Sequence, residues 1–592
     1  MERPDLETLA KTWLAHDPDG ETCAELEESL AKVAAGDEAA LTDLRDAFGA
    51  ALEFGTAGLR GVLGAGPNRM NRAVVRRTTH GLAKALLASS PQAKERGVVI
   101  GYDGRRNSLV FAEDTACVLA AAGIRVHLFE DVAPTPLTAF ALLRLNAAAA
   151  VMVTASHNPP EYNGFKVYWE NGAQIIPPVD GIIASAIEEA PPADEVPLLP
   201  LDDAREQGLV QPVPPSVEGD YLAGIEALGA TDDQGDPVGR RTIKIVYTAM
   251  HGVGNRLALK ALGQGGFGEV HTVAEQAQPD GRFPTVAFPN PEEKGAMDLS
   301  FALASRVGAD VIFANDPDAD RLAIAIPSRE KDGRFTQLTG NEVGVLLGHY
   351  LLTTRAVTQP AVFNSVVSSP LLGTIAKAKG AAFAETLTGF KWIANTAMRF
   401  EQDRGTTTLF GYEEALGYSV GNLVRDKDGI SALAIAAELV AVLAEKKETL
   451  WDRLDGIARE FGLYVSGQRT IVRKGPDGQK ELAALMERLR SQDPSTIGGY
   501  AVVRRVDFQT GSIQRADGVA ETIDFPPSNV LVYELEGGSR VIARPSGTEP
   551  KAKFYVDVRV DIGAQESLDD ARTRAQQALE ALADAIVALV DG

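Results

Sequence analysis

A chain of 592 residues is too long for a single hydrophobic core, and at about 150 residues per domain it predicts roughly four domains. Hydrophobic residues make up 45% of the chain and charged residues 23%, a globular composition that excludes intrinsic disorder. The formal net charge of −23 argues against non-specific binding to nucleic acid or anionic membranes, because such a field repels phosphates. An anionic substrate would therefore need a local basic pocket.

The cysteine content and the hydropathy pattern narrow the class further. The two cysteines, Cys23 and Cys117, allow neither a disulfide framework nor a zinc-site spacing. The N-terminal residues are amphipathic and acidic and lack the apolar core of a signal peptide. A run of about 18 apolar residues, which a membrane-spanning helix needs, does not occur. We therefore expect a cytoplasmic protein that binds neither membrane nor nucleic acid.

The chain begins with acidic helices and continues as repeated α/β units. Residues 5–50 predict two helices that are separated near HDPDGET, and a glycine-rich loop, EFGTAGLRG, follows them. Short β-branched runs then end in polar loops and lead into helical stretches, at VVIGYDGRRNS, IKIVYTAMHGVGN and AVFNSVVSS. Strands that alternate with helices at this spacing predict α/β layers with much parallel pairing.

The C-terminal part has a different pattern. It follows a predicted helix near residues 445–460 and contains the segments AVVRRVDF, NVLVYELEGG, SRVIARPSG and AKFYVDVRV. These segments predict an antiparallel sheet, and an alanine-rich amphipathic helix over about 567–590 closes the chain. We therefore expect a fourth domain of the α+β type.

Three aspartates alternate in the stretch NDPDADR, at the end of an apolar strand. In an extended loop Asp316, Asp318 and Asp320 point the same way, so their carboxylates converge. A hard divalent cation relieves the resulting repulsion, and a set of oxygen ligands suits Mg²⁺. A solvated acidic turn is the alternative. Arg321 follows directly and is able to bind a phosphate bidentately.

A second polar loop, in IARPSGTEPKAKF, combines a guanidinium, two hydroxyls and an unobstructed backbone. The residues concerned are Arg544, Ser546, Gly547 and Thr548. Such a combination collects phosphate oxygens, although an ordinary hairpin turn has a similar composition.

Two further stretches carry weaker signals. The paired carboxylates Glu413 and Glu414, in LFGYEEALGYS, are able to bind vicinal sugar hydroxyls or to cap the following helix. Lys391, in TLTGFKW, is either a ligand-binding residue or a solvated lysine.

Ser156 lies beside His157 in TASHNPP, directly after an apolar run. The stretch does not match the G-x-S-x-G elbow of hydrolases. Residues 158–160 are Asn-Pro-Pro, which disfavours a helix start and predicts a rigid loop. His157 and Lys166 are expected to make this loop locally cationic. From its neighbours alone, the serine–histidine pair favours a structural role over a catalytic one.

Together these stretches resemble the active-site loops of the α-D-phosphohexomutase superfamily. TASHNPPEYNGFK, DPDADR, GYEEALGY and RPSGTEP occur in the family order, and GTAGLRG resembles the N-terminal loop of the family. The resemblance implies an α/β fold with three related domains that contain mixed sheets, and a C-terminal TATA-binding-protein-like α+β domain. The expected boundaries are a helical extension over 1–50 and domains over 51–215, 216–330, 331–460 and 461–592, each domain contributing one loop to a central cleft.

The resemblance also implies a role for each matching residue. Ser156 matches the phosphoserine of the family, Arg60 contacts its phosphoryl group, and His157 and Lys166 flank that group. The phosphoserine and the aspartate trio Asp316, Asp318 and Asp320 match the Mg²⁺ ligands. The residues that match substrate-binding positions are Arg321, Thr388, Gly389, Lys391, Glu413, Lys427, Arg544, Ser546, Gly547 and Thr548.

The enzyme that the resemblance implies is an isomerase of the intramolecular phosphotransferase type. It interconverts sugar 1-phosphate and sugar 6-phosphate through a phosphoserine and a bound sugar 1,6-bisphosphate, acting on a small phosphosugar as a monomer or weak dimer. Glucose is the first choice, because Lys391 and Lys427 resemble residues of the glucose-preferring enzymes. Ala415 and the N-terminal extension resemble the phosphopentomutase branch, so pentose and mannose phosphates are alternatives. A metal-dependent sugar phosphatase would use similar groups but would release free phosphate.

Overall fold

The computed structural model describes residues 3–53, 58–230, 243–330, 332–473, 478–523, 525–545 and 551–591. The chain divides into two compact units. Unit 1 comprises Met1–Gly340 and Gly389–Lys446, and unit 2 comprises Asn341–Thr388 and Lys447–Gly592. Among the described residues, no helix combines the length and the apolar composition that a membrane crossing requires.

Over residues 3–53 the chain forms three helices where the sequence predicted two. They are α1 (Arg3–His16), α2 (Gly20–Ala34) and α3 (Glu38–Gly49). The additional break falls at Gly36, whose φ is +89°, and at Asp37, whose side chain accepts hydrogen bonds from the first backbone amides of α3. The prediction was wrong here because alanine-rich segments on both sides of the break favour helix, so only the Gly-Asp pair marks it.

Within residues 58–230 the chain forms a mixed six-stranded sheet between helices. The strands are β1 (Leu59–Val62), β2 (Val98–Tyr102), β3 (Val126–Leu128), β4 (Ala149–Val153), β5 (Tyr162–Trp169) and β6 (Val210–Pro212). The helices are α4 (Arg72–Ser89), α5 (Ala93–Arg96), α6 (Ser108–Ala121), α7 (Thr135–Arg144), α8 (Val179–Glu188), α9 (Leu201–Glu206) and α10 (Ser216–Leu228).

The strand order of this sheet is β1-β5-β4-β2-β3-β6, and β4, β2, β3 and β6 run parallel. Alternate residues of β2 enter different cores: Val98 and Ile100 pack in one apolar cluster and Val99 in another. The sheet is therefore covered on both faces, which explains why β2 and β4 are continuous apolar runs. The carboxyl ends of β2 and β4 lead into the loops that begin at Asp103 and Thr154, so both loops start at the same edge.

The second sheet, within the described part of residues 243–337, has the order β11-β10-β9-β7-β8. Its strands are β7 (Ile245–Thr248), β8 (Val270–Thr272), β9 (Val311–Asn315), β10 (Leu322–Pro327) and β11 (Phe335–Gln337), and its helices are α11 (Asn255–Gln264) and α12 (Asp298–Val307). β7, β8 and β9 run parallel, whereas β10 pairs antiparallel with β9. The aspartate stretch is the turn between β9 and β10.

The next segment supplies elements to both units. It contains α13 (Gly340–Thr354), β12 (Pro360–Ser365), α14 (Leu371–Ala378), β13 (Ala382–Thr386), α15 (Phe390–Arg404), β14 (Thr407–Glu413), β15 (Gly417–Val420), α16 (Gly429–Glu445) and α17 (Leu450–Phe461). In unit 2, β12 and β13 pair in parallel. In unit 1, β14 and β15 form an antiparallel hairpin.

The C-terminal part forms the predicted antiparallel sheet. Its strands are β16 (Leu463–Val472), β17 (Thr496–Ile497), β18 (Tyr500–Asp507), β19 (Ser512–Arg515), β20 (Ala520–Thr522), β21 (Leu531–Leu535), β22 (Arg540–Pro545) and β23 (Lys551–Val560). Helices α18 (Gly478–Gln492) and α19 (Leu568–Asp591) share an apolar cluster with this sheet. The position of α19 matches the predicted C-terminal helix.

Candidate active site

The aspartate trio converges in a fully buried turn of unit 1. Asp316, Asp318 and Asp320 offer oxygens that all lie within 4.8 Å of one another. Hydrogen bonds from residues outside the turn stabilise it. Thr135 Oγ1 donates to Asp318 Oδ2 at 2.7 Å, and the Val253 amide donates to the Pro317 carbonyl at 2.8 Å. The predicted convergence of the three carboxylates is therefore present in the folded chain.

Buried cations surround this trio. Lys166 Nζ donates to Asp318 Oδ2 at 2.7 Å and to Asp320 Oδ2 at 3.0 Å, and Lys427 Nζ lies 3.1 Å from Asp320 Oδ2. Burial by itself lowers the pKa of Lys166 and of Lys427, but the neighbouring carboxylates outweigh it and raise both pKa values. Both lysines therefore stay charged and offset part of the acidic charge.

The aspartates respond to these neighbours in different ways. Burial, followed by repulsion from Asp318 and Asp320, raises the pKa of Asp316 well above its usual range. Burial also acts on Asp318, but Lys166 outweighs it and lowers the pKa of that carboxyl.

The donor set fits a divalent cation. Asp318 Oδ1 and Asp320 Oδ1 are buried and have no hydrogen-bond partner among the described residues. An unpaired buried carboxylate oxygen is costly, and coordination to a hard metal ion removes that cost. The three aspartates are therefore able to hold a metal ion.

Ser156 lies beside this trio, in the loop that follows β4. Its Oγ donates to Asp316 Oδ2 at 2.8 Å and lies 3.2 Å from His157 Nδ1. Burial, followed by the charges of Arg321 and Arg60, lowers the pKa of His157 well below its usual value. The expectation that His157 adds positive charge to this loop was therefore wrong, because a buried imidazole between two arginines is neutral at neutral pH.

Two guanidinium groups complete the surroundings of Ser156. Arg60 donates to Asn158 Oδ1 at 2.8 Å, and burial lowers the pKa of Arg60 to about 10, so it remains charged at neutral pH. Arg321 donates to the Ala415 carbonyl at 2.8 Å. Within the described part of the chain, the Nε–H groups of Arg60 and Arg321 are buried and make no hydrogen bond, although Arg321 Nε lies 3.9 Å from Asp316 Oδ2 and 3.8 Å from Asp320 Oδ1. Unpaired buried donors on cations favour an anion at this place.

The residues predicted to bind the sugar lie partly in the same unit. Glu413 Oε1 accepts a hydrogen bond from the Gly389 amide at 2.7 Å, so these two predicted residues are in contact. Lys427 Nζ lies 5.7 Å from the centre of the Phe390 ring. Lys391 is half-buried, and burial lowers its pKa.

The remaining predicted residues are placed elsewhere or lie outside the described part. Thr388 and Arg544 belong to unit 2, where Arg544 of β22 pairs with Lys553 of β23. Ser546, Gly547 and Thr548 lie outside the described residues, as do positions 55–57 of the GTAGLRG stretch.

The sequence reasoning missed an aspartate that fixes Lys427. Asp426 is buried and accepts hydrogen bonds from Tyr168 Oη and Gln174 Nε2, each at 2.7 Å, and from the Lys427 amide at 2.7 Å. Its neighbours along the chain are polar and give no periodic signal. The carboxylate-rich context of RDKDG is the only feature of the sequence that marks it.

The α/β layers hold a buried site in which carboxylates, a serine and guanidinium groups lie together. This combination is typical of enzymes that act on phosphorylated substrates. Three family models identify the class more closely. "Phosphoglucomutase/phosphomannomutase, alpha/beta/alpha domain I" matches residues 51–193, domain II of the same description matches 220–329, and domain III matches 339–461. The chain belongs to the phosphoglucomutase/phosphomannomutase family. It is a mutase of the phosphohexomutase type, an isomerase that acts as an intramolecular phosphotransferase.

Curated relatives and a solved structure agree with this assignment. The chain is 43% identical over 494 residues to "Probable phosphomannomutase" of Haemophilus influenzae, covering 83% of this chain and 93% of the relative. It is 38% identical over 544 residues to human "Phosphopentomutase", covering 87% and 86%. A phosphoglucomutase/phosphomannomutase family protein from Burkholderia thailandensis has a TM-score of 0.64 at 21% identity, covering 90% of this chain and 96% of that one. Together the family models and the structural match confirm the predicted four-domain fold class.

Proposed function

We propose that this chain interconverts sugar 1-phosphate and sugar 6-phosphate, with glucose as the first choice of sugar, through a phosphoserine at Ser156 and a bound sugar 1,6-bisphosphate. The observation that carries the proposal is the position of Ser156 Oγ, 2.8 Å from Asp316 Oδ2, in a buried site that also holds guanidinium N–H groups making no hydrogen bond to any described residue. A serine in such surroundings is suited to carry a phosphoryl group.

Phosphoryl transfer depends chiefly on in-line positioning and on neutralising charge. In the forward half-reaction the bond between phosphorus and Ser156 Oγ breaks, a bond to the free sugar hydroxyl oxygen forms, and the hydroxyl proton passes to the neutral His157. The Nδ1 atom of His157 lies 3.2 Å from Ser156 Oγ and is able to deliver the proton to that leaving oxygen. In the reverse half-reaction the bond between the opposite phosphorus and its sugar oxygen breaks, that phosphorus bonds to Ser156 Oγ, and the Ser156 hydroxyl proton passes through His157 to the freed sugar oxygen. Arg60 and Arg321 offset the negative charge of the group while it moves.

We propose Mg²⁺ as the metal of this site. Asp316, Asp318, Asp320 and an oxygen of phosphorylated Ser156 would hold it. When bound, the ion supplies Lewis-acid stabilisation of the phosphoryl oxygens. The Oδ1 atoms of Asp318 and Asp320, which make no hydrogen bond to any described residue, support this assignment.

Sugar choice is proposed from this chain's own lysines. Lys391 and Lys427 favour glucose, and Glu413 is assigned to the sugar hydroxyls, with Arg321, Thr388 and Gly389 also lining the substrate. Phosphopentomutase activity is the second candidate, because the human relative carries that name. Phosphomannomutase is the third, on the name of the Haemophilus relative.

The phosphate that is not transferred is assigned to the loop after β22, formed by Arg544, Ser546, Gly547 and Thr548. We keep domain boundaries at 51–215, 216–330, 331–460 and 461–592, so that each domain supplies one of the proposed loops. The active form is proposed to be a monomer or weak dimer.

Intact mass spectrometry tests the proposal. After incubation with glucose 1,6-bisphosphate and Mg²⁺, the protein is expected to gain the mass of one phosphoryl group, and Ser156→Ala is expected to gain none and to lose turnover. Ser89→Ala is the matched control, because Ser89 is exposed on α4. Normal turnover by Ser156→Ala would contradict the mechanism, and release of free phosphate in place of isomerised ester would favour a phosphatase.

A further inference from the structure

Ser156 adopts a backbone conformation that its residue type disfavours. Its φ is +52°, in the left-handed region. A residue other than glycine persists there only where the surrounding structure over-determines it. The groups that hold Ser156 in this conformation are therefore informative about how its Oγ is aimed.

The amide side of Ser156 is held by a hydroxyl relay. The Ser156 amide donates to Thr154 Oγ1 at 2.8 Å, and Thr154 Oγ1 donates its own proton to Asp103 Oδ2 at 2.6 Å. Asp103 Oδ1 accepts from Ser108 Oγ at 2.6 Å and from the Arg105 amide at 3.0 Å. Because the hydroxyl proton goes to Asp103, a lone pair of Thr154 Oγ1 is left for the Ser156 amide.

The carbonyl side of Ser156 is held by Arg105. One terminal nitrogen of this guanidinium donates to the carbonyls of Ser156 and Asn158 at 2.7 and 2.5 Å. The other donates to the carbonyls of Pro159 and Tyr162 at 2.8 and 3.2 Å. Four carbonyls between Ser156 and Tyr162 thus accept hydrogen bonds from a single side chain that is 1% exposed.

Asp103 connects the two sides. Its Oδ2 accepts from Thr154 and lies 3.3 Å from Arg105 Nε. The Phe283 ring lies 4.9 Å from the Arg105 guanidinium carbon. The buried Asp103 carboxylate therefore orients both Thr154, which binds the Ser156 amide, and Arg105, which binds the Ser156 carbonyl.

We propose that Asp103, Arg105 and Thr154 are positioning residues that lock Ser156 in the left-handed conformation and thereby aim its Oγ at Asp316. The inference rests on the proposed role of Ser156 as the phosphoryl carrier. The three residues act through the Ser156 backbone and not by contact with substrate. Without them the Ser156 backbone relaxes toward the extended region, which turns Oγ away from the direction that phosphoryl transfer requires.

Substitution of Thr154 isolates this effect. Thr154→Val keeps the shape of the side chain and removes the relay, whereas Thr154→Ser keeps the hydroxyl. We expect Thr154→Val to lower kcat by about 10- to 100-fold, the scale of a misplacement of about 1 Å, with KM for the sugar phosphate nearly unchanged. Thr154→Ser is expected to restore most of kcat. The rate at which the bisphosphate phosphorylates Ser156 is likewise expected to be lower in Thr154→Val than in Thr154→Ser. This rate is measured by intact mass spectrometry of samples quenched at successive times.

A buried threonine elsewhere in the same domain serves as the control. Thr79 is fully buried, and its Oγ1 donates to the Val75 carbonyl within α4, so Thr79→Val removes an equally buried hydroxyl without touching the Ser156 loop. If Thr154→Val does not fold, Arg105→Lys replaces it as the test, since a lysine keeps the charge but cannot hold four carbonyls in a fixed fork. Arg105→Lys is expected to lower kcat by about 10-fold or more.

The outcomes separate this inference from the proposed function. If Ser156→Ala is inactive while Thr154→Val or Arg105→Lys turns over like the wild type, the positioning network is refuted and the phosphoserine stands. An equal loss in Thr154→Ser and Thr154→Val, or a rise in KM at constant kcat, also overturns the network. If Ser156→Ala turns over normally, the proposed function itself fails.

Discussion

Removing the ammonium group of Lys166 is expected to have a large effect on the free energy of unfolding. Its Nζ lies 2.7 Å from Asp318 and 3.0 Å from Asp320, and all three side chains are almost completely buried. Coulomb's law with an effective dielectric constant of about 20 gives roughly 6 kcal/mol of attraction for each contact. Desolvation of the three ions offsets several kcal/mol of this sum. Breaking such a pair leaves buried carboxylates uncompensated, so we expect Lys166→Met to lower the free energy of unfolding by about 3–5 kcal/mol without metal.

Magnesium is expected to reverse part of that loss. A ligand at about 100 times its Kd stabilises the state that binds it by about 2.7 kcal/mol. In Lys166→Met the cation also replaces the missing ammonium, so its stabilising increment should be larger than in the wild type. Unfolding is followed in parallel in EDTA and in excess MgCl₂. The control is Lys84→Met, whose exposed pair with Glu189 at 3.5 Å is expected to contribute about 1 kcal/mol or less. Equal Mg²⁺ increments in Lys166→Met and the wild type would refute the reasoning.

Three further predictions address the metal ligands and the buried networks. Asp318→Asn is expected to lower Mg²⁺-dependent turnover by more than about 100-fold in a Mg²⁺ titration. The control Asp298→Asn, at the exposed start of α12, is expected to leave turnover unchanged. Titration curves of Asp318→Asn that match those of the wild type would exclude Asp318 as a metal ligand. Tyr168→Phe deletes the donor to the buried Asp426 carboxylate and is expected to cost about 1–3 kcal/mol of unfolding free energy, so an unchanged denaturation curve would contradict the role of that hydrogen bond. In unit 2, Arg540 is buried and donates at 2.7 Å to both Asp557 and Glu385. Arg540→Met is expected to lower the free energy of unfolding by about 3–5 kcal/mol in thermal and urea denaturation. A loss below about 1 kcal/mol would show that these buried ion pairs contribute no more than a surface ion pair.

The fold could be predicted from the sequence where local pattern and tertiary burial agree. β2 and β4 are uninterrupted apolar runs because helices cover both faces of their sheet, and this is the pattern that predicted parallel pairing. The break before α3 was missed because alanine satisfies helix propensity on either side of Gly36. A single glycine is a weak signal against such a background.

From the residue pattern alone, the candidate site could be predicted only where its residues are adjacent in the sequence, whereas the proximity of Ser156 and Lys166 to the aspartates was implied by the family resemblance. The trio from Asp316 to Asp320 alternates within one turn, so its convergence follows from strand geometry. The hydrogen bond from the Arg105 side chain to the Ser156 carbonyl joins residues that are 51 positions apart. No periodic pattern in the sequence predicts such a side-chain-to-backbone contact. The neutral state of His157 likewise depends on burial and on Arg321 and Arg60, which the sequence does not place beside it.

The central claim is that Ser156 carries a phosphoryl group that is moved within a phosphosugar. Phosphorus NMR of the reaction mixture tests it most directly. The wild type and Ser156→Ala are each incubated with glucose, mannose, ribose or deoxyribose 1-phosphate in separate samples. Every sample contains Mg²⁺ and a trace of glucose 1,6-bisphosphate. The account predicts that the wild type converts glucose 1-phosphate to glucose 6-phosphate without releasing free phosphate, and that Ser156→Ala leaves it unchanged. Accumulation of free phosphate, or equal conversion by Ser156→Ala, would contradict the account.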